Sequence, residues 1–95
     1  MTRRRYLVAY DISEPKRLRE VHGCAKRYGY ALQYSLFICD LDKMELIQLK
    51  WGLSNLISHH EDRVAIIDLG DIGQVQRFEF LGVTPALPTG GPTII

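Results

Sequence analysis

No stretch of this chain is apolar for long enough to span a membrane; its clearest apolar run, Tyr6–Tyr10, is also too short for the core of a secretory leader. Cysteine is scarce. Cys24 and Cys39 form neither a CxxC pair nor a metal-ligand spacing, so a disulfide framework and a zinc knuckle are both excluded. His22, His59 and His60 share no ligand spacing with those thiols or with one another. There is no glycine-rich phosphate loop and no nucleophilic serine motif. These absences lead to the expectation of a cytoplasmic protein with reduced thiols and no membrane partner.

Excess charge is also missing. The net charge is +1, well short of a dedicated nucleic-acid binder. The distribution is less even than the total. Of 12 Lys and Arg, Arg3, Arg4, Arg5, Lys16, Arg17, Arg19, Lys26 and Arg27 fall in the N-terminal third, against Asp11, Glu14 and Glu20. Such a cluster reads either as solvated faces or as a phosphate-facing surface. At 95 residues the chain is one domain at most, and a domain this small gains from burying surface against a second chain.

What is present is clear periodicity. Tyr6-Leu-Val-Ala-Tyr10 reads as a strand buried on both faces, stopped by Asp11. Ser13 as N-cap and Pro15 in the first turn open a helix running to about Tyr28, with Leu18, Val21, Ala25 and Tyr28 inward. Gly29 reads as its stop. Tyr30–Leu41 reads as two short strands turning near Gln33-Tyr34-Ser35, or as one bulged strand. Asp40 or Asp42 caps a second helix, Lys43 to Ser58, with Leu46, Leu49, Leu53, Leu56 and Ile57 on one face. Met44, Ile47 and Trp51 form a second stripe, read as wide core contact or as a protein contact. Arg63–Leu69 is a strand, Gly70-Asp71-Ile72-Gly73 a turn and Gln74–Leu81 a further strand with Phe78 and Phe80 on one face.

The order β-α-β-β-α-β-β predicts an α+β, ferredoxin-like domain over residues 1–82, with an extra C-terminal strand. Residues 83–95 form a Pro- and Gly-rich tail whose Thr93-Ile94-Ile95 end suits addition to a partner's sheet. Two helices cover one sheet face; a homodimer would cover the other.

Asp11 is the leading functional candidate, because a carboxylate directly after a buried strand sits on a rigid element. One carboxylate holds a hard divalent cation poorly. Two Asp11 side chains across a two-fold axis, with water and phosphate oxygens, make a reasonable Mg2+ site. The alternative is a residue that merely ends the strand or caps the helix. Ser13 is placed to add a hydroxyl, and Arg17 and Arg19 to reach a phosphate nearby. Phe37 reads as core or as a surface wedge.

Tyr6-Leu-Val-Ala-Tyr-Asp-Ile12, Lys16-Arg17-Leu-Arg19, Gly29, Gln33-Tyr-Ser-Leu-Phe37 and Asp62-Arg-Val-Ala-Ile66 together resemble the second of the core CRISPR-associated proteins, over residues 5 to 82. That family is the small subunit accompanying the CRISPR integrase in spacer acquisition. The resemblance implies a ferredoxin-like homodimer in which Asp11 faces its symmetry mate and binds Mg2+. It implies a metal-dependent endonuclease on RNA or double-stranded DNA, with Arg17 and Arg19 beside Asp11 as catalytic residues and Phe37 at the family's aromatic position. A basic residue that some members carry before the Gln motif is Ala31 or Leu32 here, which weakens the match to an RNA-cleaving site of that type. The alternative function is a non-catalytic scaffold that bridges integrase subunits. It would present Arg3, Arg5, Lys16, Arg17, Arg19, Lys26, Arg27 and Phe37 to duplex DNA. A metabolite-binding regulatory domain has only the fold in its favour.

Overall fold

The computed structural model describes residues 2–73 and 78–83. The elements are β1 (Arg4–Asp11), α1 (Pro15–Lys26), β2 (Tyr30–Gln33), β3 (Leu36–Leu41), α2 (Lys43–Leu56) and β4 (Arg63–Asp71). They form one antiparallel sheet in the order β2-β3-β1-β4, with β1 and β3 central. This is the β-α-β-β-α-β ferredoxin-like α+β fold. The region Tyr30–Leu41 is two strands, with Tyr34 and Ser35 at the turn.

Alternation along β1 sorts its side chains by face. Tyr6, Val8 and Tyr10 point to the helices and are buried with Phe37, Cys39 and Leu41 of β3. Val21, Cys24 and Ala25 of α1 and Leu49 and Leu53 of α2 close this core, with Leu18, Tyr28, Leu46, Leu56 and Ile57 packed at its margin. Leu7, Ala9 and Asp11 point the other way, aligned with Leu36 and Ile38 on β3 and with Ile67, Ala65 and Arg63 on β4.

The helix ends depart from the sequence reading for local reasons. Glu14, not Ser13, caps α1: its carboxylate accepts from the N–H groups of Lys16 (3.0 Å) and Arg17 (2.8 Å). Those two donors hold the Glu14 carboxyl below its usual range. Ser13 is one residue too early and is engaged elsewhere. Asp42 caps α2 through a reciprocal capping box with Glu45. That helix stops at Leu56 rather than Ser58, because the Ser58 N–H donates to the Asp62 carboxylate (2.8 Å).

Two glycines are required by local backbone geometry rather than by chain termination. A Cβ at Gly29 would collide with the Ile38 carbonyl oxygen and the Cys39 sulfur, so the chain leaving α1 passes β3 only as glycine. Gly70 lies inside β4, not in a turn. Its φ of 98° sits where the β1–β4 register shifts between Arg5 and Tyr6, as a glycine-dependent bulge requires. The strand therefore extends to Asp71, and only Ile72 and Gly73 remain as turn.

Part of the expected strand Gln74–Leu81 lies outside the described residues, as do residues 84–95 of the expected tail, including Thr93–Ile95. Phe78 makes a single bridge, and its ring stacks with that of Phe80 at 6.5 Å between centroids. No helix among the described residues is long and apolar enough to cross a membrane. Both cysteines are free and buried. Burial, with Asp40 and then Cys24 nearby, pushes the Cys39 thiol up to about 12, which makes it a core side chain rather than a nucleophile.

Candidate functional site

Asp11 ends β1 on the face away from the helices. It is exposed and forms no hydrogen bond or ion pair through its side chain among the described residues. Most other carboxylates have work: Asp40 holds Arg5, Asp42 and Glu14 cap helices, and Asp62, Asp68 and Asp71 hold arginines. A carboxylate fixed on a strand end yet unspent suits a hard cation. One chain supplies too few ligands: no group of three or more His, Cys, Asp or Glu among the described residues is placed to hold a metal. The donor set fits a cation only if a second copy adds its own Asp11.

The residues flanking Asp11 are held by one buried carboxylate. Asp62, whose side chain is fully buried, accepts from the Ser13 N–H (3.0 Å), the Ser13 hydroxyl (3.2 Å), the Ser58 N–H (2.8 Å) and Arg17 Nε (2.8 Å). Arg17 adds an ion pair to Glu61 at 3.0 Å. This network ties the loop after Asp11 to α1, to the end of α2 and to the start of β4. The Arg17 guanidinium, then the two backbone N–H groups, hold the Asp62 carboxyl far below the usual carboxylate range.

That depression has a sign. Because the folded-state pKa of Asp62 is the lower one, its contribution to stability is complete above the usual carboxylate value of 3.8 and is lost as pH falls below it. Asp68 and Glu14 are also depressed but are shared by wild type and an Asp62 variant. The melting-temperature gap between wild type and Asp62→Asn is therefore expected to be constant near neutrality and to narrow below about pH 4. A gap independent of pH down to about pH 2.5 would show that the network is not ionic.

Several expected site residues are placed differently. Arg17 is spent on Asp62 and Glu61, so it positions the loop after Asp11 and does not wait for a phosphate. Ser13 is likewise bound to Asp62. Arg5 is 3% exposed and makes two 2.7 Å bonds to Asp40, so it is not part of any nucleic-acid surface. Phe37 is fully buried opposite Val8, so its role is packing, worth on the order of 3–5 kcal/mol for a buried aromatic. Arg3 is exposed but reaches Glu45 at 2.8 Å and the Asp40 carbonyl at 3.1 Å. Lys16, Arg19, Lys26 and Arg27 are exposed and form no ion pair among the described residues. Half of the basic N-terminal third is thus structural, and the free half lies on α1 and its cap.

One cation near Asp11 went unassigned in the sequence. Arg63 pairs directly with Asp11 across β1 and β4, on the same sheet face, and is exposed with no ion pair among the described residues. Directly opposed residues of an antiparallel pair stand about 5 Å apart at Cβ. Arg63, not Arg17, is therefore the exposed guanidinium that stands beside Asp11. Its signal was Asp62-Arg63 at the start of a strand, legible only once that strand is known to pair with β1.

On the helix side at the same end of the sheet, the Ser35 carbonyl accepts from the Tyr10 N–H at 3.1 Å. The Tyr10 hydroxyl donates to the Tyr34 carbonyl at 2.8 Å, and burial, then Tyr34, pushes the phenol up to about 12. Tyr10 is thus a neutral structural group.

Away from Asp11, Met44, Ile47 and Trp51 remain exposed, Trp51 at 73%, so the stripe is not core. Ile47 and Trp51 flank a surface hollow lined also by Cys24, Arg27, Tyr28, Gln48 and Gly52.

Comparison with known proteins accounts for this arrangement. The family model of CRISPR-associated protein Cas2 matches residues 4–77, from the start of β1 past the end of β4. A CRISPR-associated endoribonuclease Cas2 of Geobacter sulfurreducens is 35% identical over 75% of each chain. A second, of Thermodesulfovibrio yellowstonii, is 39% identical over 90% of each chain. A CRISPR-associated endonuclease Cas2 of Halalkalibacterium halodurans is 32% identical over 93% of this chain and 96% of its own. The crystal structure of Streptococcus pyogenes Cas2 superposes with a TM-score of 0.66 at 31% identity, over 70% of this chain and 86% of that one. With the family model spanning most of the chain and these relatives at 32–39% identity, this chain belongs to the CRISPR-associated protein Cas2 family.

Proposed function

We propose that this protein is a CRISPR adaptation subunit that acts as a homodimeric, Mg2+-dependent endonuclease on RNA or double-stranded DNA. The observation that carries the reading is Asp11, a carboxylate held at a strand end yet without a hydrogen-bond or ion-pair partner among the described residues. Its curated relatives named above are called endoribonucleases or endonucleases.

The dimer is supported by the sheet face opposite the helices, which is exposed at Asp11, Arg63, Ala65 and Ile67 although Ile38 and Arg5 on the same face are buried. Leu7, Ala9, Leu36, Ala65 and Ile67 lie there with Asp11, and Ile67 is 48% exposed. A two-fold axis near the Asp11 end would bury apolar surface and bring two carboxylates together.

Asp11 and its mate would hold the cation. When bound, the ion polarises the scissile phosphate and lowers the pKa of an attacking water. The protein's own part is positioning. Arg63, beside Asp11, offers a guanidinium to a non-bridging phosphate oxygen. The Asp62 network fixes the loop after Asp11, so the carboxylate pays little ordering entropy when it engages a ligand. Arg19, Lys16, Lys26 and Arg27 supply sequence-independent backbone attraction.

The test is cleavage of labelled single-stranded RNA and double-stranded DNA in Mg2+ and in excess chelator. Cutting in Mg2+ that stops in chelator and returns when Mg2+ is restored is the expected result. Cutting unaffected by chelator contradicts the metal reading. No cutting of either substrate leaves the scaffold as the function, which the exposed Trp51 face also suits as a docking surface for the integrase subunit.

A further inference from the structure

Tyr34 is an exposed aromatic with an ordered position. It is 54% exposed, yet its ring lies on the His22 imidazole at 4.4 Å between centroids and 12° between planes. His22 in turn meets the buried Phe37 edge-on, at 5.3 Å and 67°. The three rings form a column running out from the core, and Tyr34 is its outermost member.

The column is pinned by polar contacts. The Tyr34 carbonyl accepts from the Tyr10 hydroxyl and lies 3.1 Å from His22 Nδ1, which is also 3.0 Å from the Tyr10 oxygen. The carbonyl only accepts, so with the Tyr10 proton directed at it the Nδ1-protonated tautomer of His22 completes the contact as a donor. The ordering cost of presenting an aromatic face is thus met before any ligand arrives.

Cations flank it. Arg19, His22 and Lys26 follow one another on α1 at spacings of three and four, which places them along one helix stripe. Arg19 and Lys26 are exposed and make no ion pair among the described residues. Tyr34 and Ser35 bond to Tyr10, which precedes Asp11 on β1 and points to the opposite sheet face. A fixed ring with an exposed face, bracketed by two cations, matches the recognition chemistry of an unpaired nucleotide. A base pair inside a duplex has no free face to offer it.

We propose that Tyr34, backed by His22, is a stacking platform for one unpaired nucleobase of single-stranded nucleic acid, with Arg19 and Lys26 taking the phosphates on either side. This rests on the nucleic-acid reading above and deepens it: the platform gives the protein a contact that discriminates single strands from duplex.

The experiment is binding in chelator, so that nothing is cut, using a labelled oligonucleotide of roughly ten nucleotides as RNA, as DNA and as duplex. Tyr34→Ala and Tyr34→Leu are expected to weaken single-strand binding about 5- to 100-fold, with Tyr34→Phe near wild type and duplex binding unchanged in all three. Tyr34→Leu keeps an apolar side chain over His22, which separates loss of stacking from loss of packing. Comparing RNA with DNA shows whether the 2′-hydroxyl is also read. Wild-type protein with 4-thiouridine in the RNA should photo-crosslink at Tyr34, a readout that needs no variant. Unchanged single-strand affinity in Tyr34→Leu, an equal loss on duplex, or crosslinks confined to other residues would overturn the proposal while leaving the nuclease reading intact. Wild type that binds no nucleic acid in any form would remove both.

Discussion

Asp11→Asn is expected to lower the cleavage rate by about 100-fold or more while leaving the melting temperature within a degree or so of wild type. The two halves of this expectation come from one fact. Among the described residues the Asp11 side chain takes part in no hydrogen bond and no ion pair, so its replacement breaks no described contact of the folded monomer. Asparagine keeps the size and the strand end but is a poor ligand for a hard cation. In a dimer the substitution removes both carboxylates at once. Two facing carboxylates also repel, so the variant is expected to melt no lower, and marginally higher, in metal-free buffer. A variant that loses activity only because it unfolds would show the reverse pattern, with a large fall in melting temperature. Rate and thermal melt measured on the same preparation decide between the two.

Asp40→Ala is expected to cost about 3 kcal/mol, a large stability effect for one charged residue. Arg5 is buried on the sheet and donates two 2.7 Å bonds to one carboxylate directly across the β1–β3 pair. Removing Asp40 leaves a guanidinium that cannot lose its proton and has no route to water. For a domain of this size such a loss corresponds to a fall in melting temperature of about 10–20 °C. Asp40 itself keeps 28% side-chain exposure, so the mirror change Arg5→Leu is expected to be milder. The double change Arg5→Met with Asp40→Leu should recover most of the loss, because an apolar pair replaces a desolvated ionic one. Melts at fixed chain concentration check this, since a dimer's stability depends on concentration. An Asp40→Ala protein that melts with wild type but binds DNA poorly would restore Arg5 to the phosphate surface.

These two residues show what the sequence makes legible and what it hides. Elements came through because they are written in local pattern. The apolar run of β1, the three-and-four spacing of α1 and α2, and an aspartate at 40 or 42 to cap α2 need no distant partner. Asp11 was legible for the same reason, as the residue that breaks the run. Pairings over long separation were hidden. Arg3-Arg4-Arg5 looks like a solvated basic stretch, and nothing local says that Arg5 meets Asp40 35 positions on, or that Arg4 meets Asp68 and Asp71. Arg17 reads as a phosphate ligand until Asp62, 45 positions away, is found against it. Phe37 was open between wedge and core because its face depends on the β1–β3 register. Arg63 was missed because the residue opposite it is set by the β1–β4 register. A basic cluster therefore overstates the free positive surface whenever its acidic partners sit on neighbouring strands.

Whether two copies of Asp11 share one divalent cation is decided by titrating metal-free protein with Mn2+ and counting bound ions by calorimetry or electron paramagnetic resonance. A shared site binds one ion per two chains, displaced by Mg2+ and absent in Asp11→Asn. One ion per single chain, or equal binding by the Asp11→Asn variant, would contradict it.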